Sequence, residues 1–375
     1  MLMAIAIVIH ACVELNEGDK RNRVNLRWVK SYPDESKEKV TTGLAWGLSF
    51  LGAALPKGAM KQAAIWKDES RFELDISRLG ISAERRTEWQ ELLKAIKQSD
   101  EYQKKGAMDV GRFIALTINS SNHYYALTGV DRDYTSFRKR FSFRDSLAAI
   151  VESGVSPGDR LIEVARGNEM STVAFVAQEG AGSIEAGTFS ASEYEVFDVM
   201  PNGQLRFAIY DSQGQLKTAA DPLATLAGKP AKCLWCHEIN VQRPFYAKTN
   251  IAGFYTVAGF EKVVAEKTAI IQAARQKLKS DIDFSRTQDH TELELLYISF
   301  MEPSAERLAL EWGLTTVQVQ TILAGIATHD HVEFTFLKNL YHRRDVDHLA
   351  PYEVLRVPED AREKAIYEPD FLNHP

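Results

Sequence analysis

A change of texture near Ser153 sets what this chain can fold into. Residues 160–166, 172–177, 194–199 and 205–210 are short runs rich in Val, Ile, Phe and Tyr, separated by glycine-bearing turns. Such spacing predicts an antiparallel sheet. Its clearest hairpin spans residues 194–211, because Pro201-Asn202-Gly203 supplies residues that accept positive φ at the reversal. The flanking sequence has helical periodicity, so the expected fold class is α+β, mainly helical with a small central antiparallel β-sheet. With 375 residues and 45% hydrophobic content, the chain is long enough for two cores.

The clearest helix lies over residues 82–97, where Trp89, Leu92, Leu93 and Ile96 recur at i, i+3, i+4 and i+7 behind a capping Ser82. Asn119, Ser120, Ser121, Asn122, His123, Tyr124 and Tyr125 form a polar and aromatic cluster, read as a loop with a half-buried edge or the lining of a pocket. Downstream, Val263, Val264, Lys267, Ile270, Ile271, Ala274 and Leu278 share one helix face, and Leu293, Leu296, Tyr297 and Phe300 another. Two short helices are expected around Gly313, over residues 304–312 and 315–324.

Lys and Arg number 45 against 51 Asp and Glu, giving a net charge of -6 with both signs interspersed. A nucleic-acid protein would show a basic stripe, so no nucleic-acid partner is expected. Residues 304–323 do resemble a DNA-reading helix-turn-helix, with Ala309, Gly313 and Val319 at the crossing. The second helix, however, offers Thr316, Gln318 and Gln320 and no cation, so a helical hairpin packed near the chemistry-bearing motif is the better expectation. The glycines at 180, 182 and 187 miss the dinucleotide-binding spacing, and no phosphate-binding G-x-x-x-x-G-K motif occurs.

The cysteines are three: Cys12, Cys233 and Cys236. That number excludes a disulfide scaffold. Lys232-Cys233-Leu234-Trp235-Cys236-His237 contains Cys-x-x-Cys-His, the attachment pattern of c-type haem. One turn of chain presents two thiols to the vinyl groups of one haem edge, and the adjacent His237 becomes the proximal iron ligand. On these five positions the sequence resembles a c-type cytochrome. The sheet that precedes the motif is also faintly similar to that of the small β-sheet cytochromes that oxidise hydroxylamine. A thioredoxin-like redox pair, a zinc site and inert packing remain as alternatives. The first lacks its βαβ context and the second its further paired ligands. One Cys-x-x-Cys-His means one haem c, and a di-haem peroxidase is excluded in its usual form.

The sixth iron ligand decides what such a haem does. Met301 in Phe300-Met301-Glu302-Pro303 matches the downstream distal methionine of small cytochromes, with His290 the best histidine alternative and Met200 a weaker one. Arg243 and Pro244 are candidates for pairing a haem propionate and for placing a carbonyl on the free nitrogen of His237.

Residues 1–12 read MLMAIAIVIHAC and end abruptly in polar sequence, the step expected at an export signal. Ile9-His10-Ala11-Cys12 resembles a lipoprotein lipobox, which implies lipidation at Cys12. A buried N-terminal element is the alternative. The motif and the leader together imply a periplasmic or cell-surface protein, touching the membrane only through a lipid anchor and meeting a redox partner protein in the envelope. The expected organisation is a leader over residues 1–12, a polar tether over 13–23, an N-terminal helical region over 24–150 and a haem-bearing part over 151–375. Within the last, the sheet occupies 151–220 and the motif with its helices 221–375. Electron transfer is the first functional expectation. A haem enzyme, or a gas or ligand sensor with an open distal position, is the alternative. His329, His331 and Glu333 form a possible metal trio, with an acidic loop the favoured reading.

Overall fold

Val24 and Leu26 alternate with Arg23, Asn25 and Arg27, and that period of two makes a strand with one buried face. This strand, β1 (Arg23–Arg27), begins the computed structural model's regular structure; the described residues are 20–151, 153–238, 240–241, 250–361 and 367–372. The leader and Cys12 lie outside them. β1 pairs antiparallel with β3 (Arg71–Asp75), which also pairs with β2 (Ala64–Trp66). On its other side β1 pairs parallel with β4 (Met108–Asp109), giving the order β2-β3-β1-β4. The N-terminal region is therefore not helical throughout, as expected from periodicity, but carries its own open sheet. Its strands are two to five residues long, too short to register against the long helical runs around them.

Helix α1 (Lys37–Phe50) is capped by the Ser36 side chain, which accepts from the Lys39 amide. Helix α2 (Arg86–Gln98) buries Trp89, Leu92, Leu93 and Ile96 completely, as their spacing predicts. It starts later than expected, because residues 83–85 form a 3-10 turn and the Ser82 side chain makes no cap. The cluster around His123 is neither loop nor edge. A short helix, α3 (Val110–Ile114), runs into a π-helical turn (Ala115–Asn119) and then α4 (Ser121–Thr128), and most of these side chains are buried.

The second sheet is antiparallel, in sequential order: β5 (Ala148–Ile150), β6 (Arg160–Val164), β7 (Ala174–Ala181), β8 (Ser190–Val199) and β9 (Leu205–Asp211). It has one strand more than expected and begins before residue 151. The hairpin between β8 and β9 turns at Gly203, whose φ of 87° only glycine adopts freely. That turn is also a joint. Asn202 donates to the carbonyls of Ser49 and Ala53 at 2.8 and 2.9 Å, and Arg275 Nε donates to the Gly203 carbonyl.

After the sheet come α5 (Pro230–His237), α6 (Val257–Arg275) and α7 (His290–Met301). α7 lies against α1 at very short range: a Cβ at Gly43 would sit 2.6 Å from the Glu292 carbonyl oxygen. The two helices α8 (Ala305–Trp312) and α9 (Thr316–Ile322) form a hairpin with its own small core of Leu308, Trp312 and Val319.

Beside α8 a set of ion pairs is sealed from water. Arg112 meets Glu101 at 2.9 Å and Asp347 at 2.7 Å, Arg307 meets Asp109 at 3.0 Å and Glu311 at 2.5 Å, and Arg343 meets Glu311 at 2.9 Å. The guanidiniums of Arg112, Arg307 and Arg343 all stack on the Phe300 ring, Arg343 at 3.9 Å. Burial opposes the charge on Glu311, but Arg343, Arg307 and Arg112 outweigh it and hold this carboxyl far below the usual carboxylate range. A lowered native pKa stabilises above the unfolded value of about 4.3 and loses that contribution as pH falls towards the native one. We expect Glu311→Gln to lower unfolding free energy by about 3–5 kcal/mol at pH 7, read from urea midpoints, because the buried guanidiniums of Arg307 and Arg343 each lose one of their two carboxylate partners. The gap between wild type and variant should close on acidification below about pH 4.

Candidate functional site

Strand register places three cross-strand rows on one face of the second sheet. Phe175, Phe197 and Phe207 are mutually opposite, as are Ile162, Ala177, Glu195 and Ile209, and then Arg160, Glu179 and Glu193. Phe175 and Phe197 stack at 4.8 Å between ring centres, and Phe207 lies tilted against Phe197 at 5.7 Å. This face forms the floor of a cleft of about 390 Å³, with Phe260 and Val264 of α6 and Ile150 of β5 among its walls. A cleft of this size and apolarity is ordinary for a bound organic group.

The motif lies on α5, whose first residue, Pro230, suits a position where no amide hydrogen bond is needed. Lys229, just before it, is buried and ion-paired with Glu368. Cys233 and Cys236, three residues apart, share the helix face that borders the cleft. Cys233 is half-buried and Cys236 exposed. Leu234 is fully buried and anchors the helix, while Trp235 faces the other way, 5.2 Å from the Tyr297 ring and 5.5 Å from that of His290.

The helix stops at His237 because Glu238 takes φ 49° and ψ −99°, a costly conformation for a residue with a side chain. The reversed chain brings the Asn240 carbonyl to 3.2 Å from His237 Nδ1. A carbonyl only accepts, so Nδ1 carries the proton and Nε2 keeps a bare lone pair. The imidazole packs on Phe207 and Phe197 at 5.2 and 5.8 Å, and burial, opposed by the Asn240 bond, pushes its pKa down so that it stays neutral. Burial, with Glu195 adding to it, pushes the Cys233 thiol up.

These residues fit a covalently held haem. Two thiols and a neutral imidazole with a free Nε2 border one apolar cleft, and Arg160 at its wall has a buried Nε–H with no hydrogen-bond partner among the described residues. That donor suits a propionate. Arg243 and Pro244, which the sequence suggested for a propionate and for a carbonyl on His237, lie outside the described residues; the carbonyl that meets His237 among the described residues is that of Asn240.

The distal candidates lie elsewhere. Among the described residues, neither Met301, His290 nor Met200 lines the cleft. Met301 is buried at the end of α7 beside Phe300, the residue capped by three arginines. His290 is walled by Trp46, Phe50 and Trp235; its Nε2 has no hydrogen-bond partner among the described residues, and burial alone pushes its pKa down to about 4. Met200 is buried next to Gly52. The supposed metal trio is dispersed. His329 bonds Glu302 at 2.7 Å, while His331 Nδ1 accepts from the amides of Glu333 and Phe334. No metal-ligating group of three occurs among the described residues. The helical hairpin α8–α9 packs by the ion-pair cluster and contributes nothing to the cleft.

Arg160, Glu195, Asn240 and the three phenylalanines are site residues that motif reading missed. Their signal was the hairpin: fixing the turn at Gly203 pairs Phe197 with Phe207, and alternation then puts Glu195 on the same face. For polypeptide made without haem attachment, we expect thiol alkylation mapped by mass spectrometry to run roughly tenfold or more faster at Cys236 than at Cys233. Equal rates would show that α5 does not seat with Cys233 inward. No family model, curated protein or solved structure matches the chain.

Proposed function

We propose that the cleft binds one haem c through thioethers to Cys233 and Cys236, with His237 as proximal ligand, and that the protein is a haem-dependent oxidoreductase or ligand sensor with an open distal position. The observation that carries this reading is the lining itself: one imidazole beside two thiols, with no thioether or second imidazole among the described residues that line the cleft. When bound, a five-coordinate haem supplies a site where a small molecule can be held and can exchange electrons.

The chain's own contributions follow from the geometry. His237 presents Nε2, and the Asn240 carbonyl on Nδ1 raises the basicity of that ligand. The phenylalanine row packs apolar surface against the imidazole, and the Arg160 guanidinium at the cleft wall would offset carboxylate charge on a bound haem. The electron-carrier reading keeps one supporting observation, the exposure of Cys236, which brings the thioether edge to the surface where an envelope redox partner can reach it. On either reading the protein belongs in the periplasm or on the cell surface, since thioether attachment takes place there. No helix among the described residues is long and apolar enough to cross a membrane.

The test is the spectrum of protein made with the haem-attachment machinery. We expect haem retained after denaturation, lost on replacing Cys233 and Cys236 by Ser, a high-spin ferric spectrum, and carbon monoxide binding to the ferrous form. Met301→Ala should leave the spectrum unchanged. A low-spin spectrum with a far-red sulfur band that this substitution removes would restore the electron carrier, and absence of retained haem would reject both readings.

A further inference from the structure

Glu195 is out of place in its row. Ile162, Ala177 and Ile209 are its cross-strand companions, and a carboxylate among them loses hydration that the neighbours do not restore. Among the described residues its one cationic partner is Arg160, at 3.4 Å, and Arg160 is already ion-paired with Glu179 directly behind. Glu195 Oε1 and Glu179 Oε2 are buried and lack a hydrogen-bond partner among the described residues, while Glu179 Oε1 meets the Arg160 guanidinium. One guanidinium therefore serves two carboxyl groups.

The other groups facing this pair do not supply the missing positive charge. Glu193, on the same strand, is satisfied by Lys217 and by the Asp221 amide. The Ser156 and Thr225 hydroxyls lie within hydrogen-bond reach of Glu179 and Glu195 respectively, but they are uncharged and each has one proton, for which backbone carbonyls compete, those of Gly158 and Ala224 at Ser156 and that of Val155 at Thr225. On α5 the cleft is bordered by Cys233 and the neutral His237, and on α6 by the apolar Phe260 and Val264.

We infer that Glu195, with Glu179 behind Arg160, is the proton-uptake group of this cleft, binding a proton when the haem is reduced and releasing it when the haem is oxidised. The inference rests on the haem reading above. The balance is simple: an external reductant supplies one electron to the ferric iron, solvent supplies one proton to a carboxylate oxygen, and reoxidation returns both. The physical cause is charge. Ferric haem carries one positive charge more than ferrous haem, and its loss leaves a carboxylate in an apolar wall with less compensation. Burial, and then the neighbouring Glu179, already push Glu195 up to about 8, so it holds a proton near neutrality.

The haem midpoint potential of the holoprotein, measured spectroelectrochemically against pH, tests this. We expect a wild-type segment approaching ~59 mV per pH unit, the value for one proton per electron. Glu195→Gln should flatten it to a small fraction while leaving the oxidised spectrum intact. Should that variant fail to fold, dye-detected proton uptake by wild-type protein on reduction gives the same answer, with close to one proton per haem expected near the carboxyl's pKa. A flat wild-type profile, no proton uptake, or an unchanged slope in Glu195→Gln overturns the assignment while retained haem leaves the haem reading standing. Loss of haem itself overturns both.

Discussion

Glu311 is the point from which much of this molecule is tied together. Its carboxylate takes Arg307 and Arg343 directly, and through Arg112, Asp347, Asp109 and Glu101 the contacts reach β4, α3, α8 and the chain beyond α9. Four guanidiniums, those of Arg27, Arg112, Arg307 and Arg343, face the four carboxylates of Glu101, Asp109, Glu311 and Asp347. The balance of sign makes the burial of so many charges tolerable, and breaking one pair costs far more than the pair itself contributes. Phe300 in their midst fixes the far end of α7. The near end of that helix abuts Trp235 through His290, so the charged cluster and the motif helix are connected by one rigid rod.

The cleft works by the opposite physics. Its floor is apolar, its imidazole is neutral, and its one shared guanidinium is outnumbered by carboxyl groups. Where the cluster around Glu311 holds every charge in place, the wall around Glu195 leaves one undecided. That contrast separates Glu311, whose paired guanidiniums hold its carboxyl low, from Glu195, which burial raises.

The sequence carried the parts whose signal is local. The Pro201-Asn202-Gly203 turn, the face of α2 and the paired thiols of the motif are each written within a few residues, and each is found in the structure where it was expected. The α+β class follows from the same local signals. What stayed hidden depends on partners distant in the chain. The four-stranded sheet joins residues near 25, 65, 73 and 108, none of which has enough strand length to announce itself. The π-helical turn before Ser120 is stabilised from outside: Ser120 donates to the Pro369 carbonyl, and His123 Nε2 accepts from the Phe371 amide. Met301 has the sequence neighbourhood of a distal ligand, but its helix is aimed by Gly43 and Phe300, and spacing along the chain cannot express that direction.

The ion pair between Lys229 and Glu368 has a consequence in time. Lys229 immediately precedes the helix that presents both thiols, and its partner comes from far downstream in the sequence, so the pair closes only once the later part of the chain has folded back. Until Glu368 arrives the helix has no latch and Cys233 can still turn outward. Of the two thiols only Cys233 depends on that interval to be fully reachable, since Cys236 stays exposed once the pair has closed.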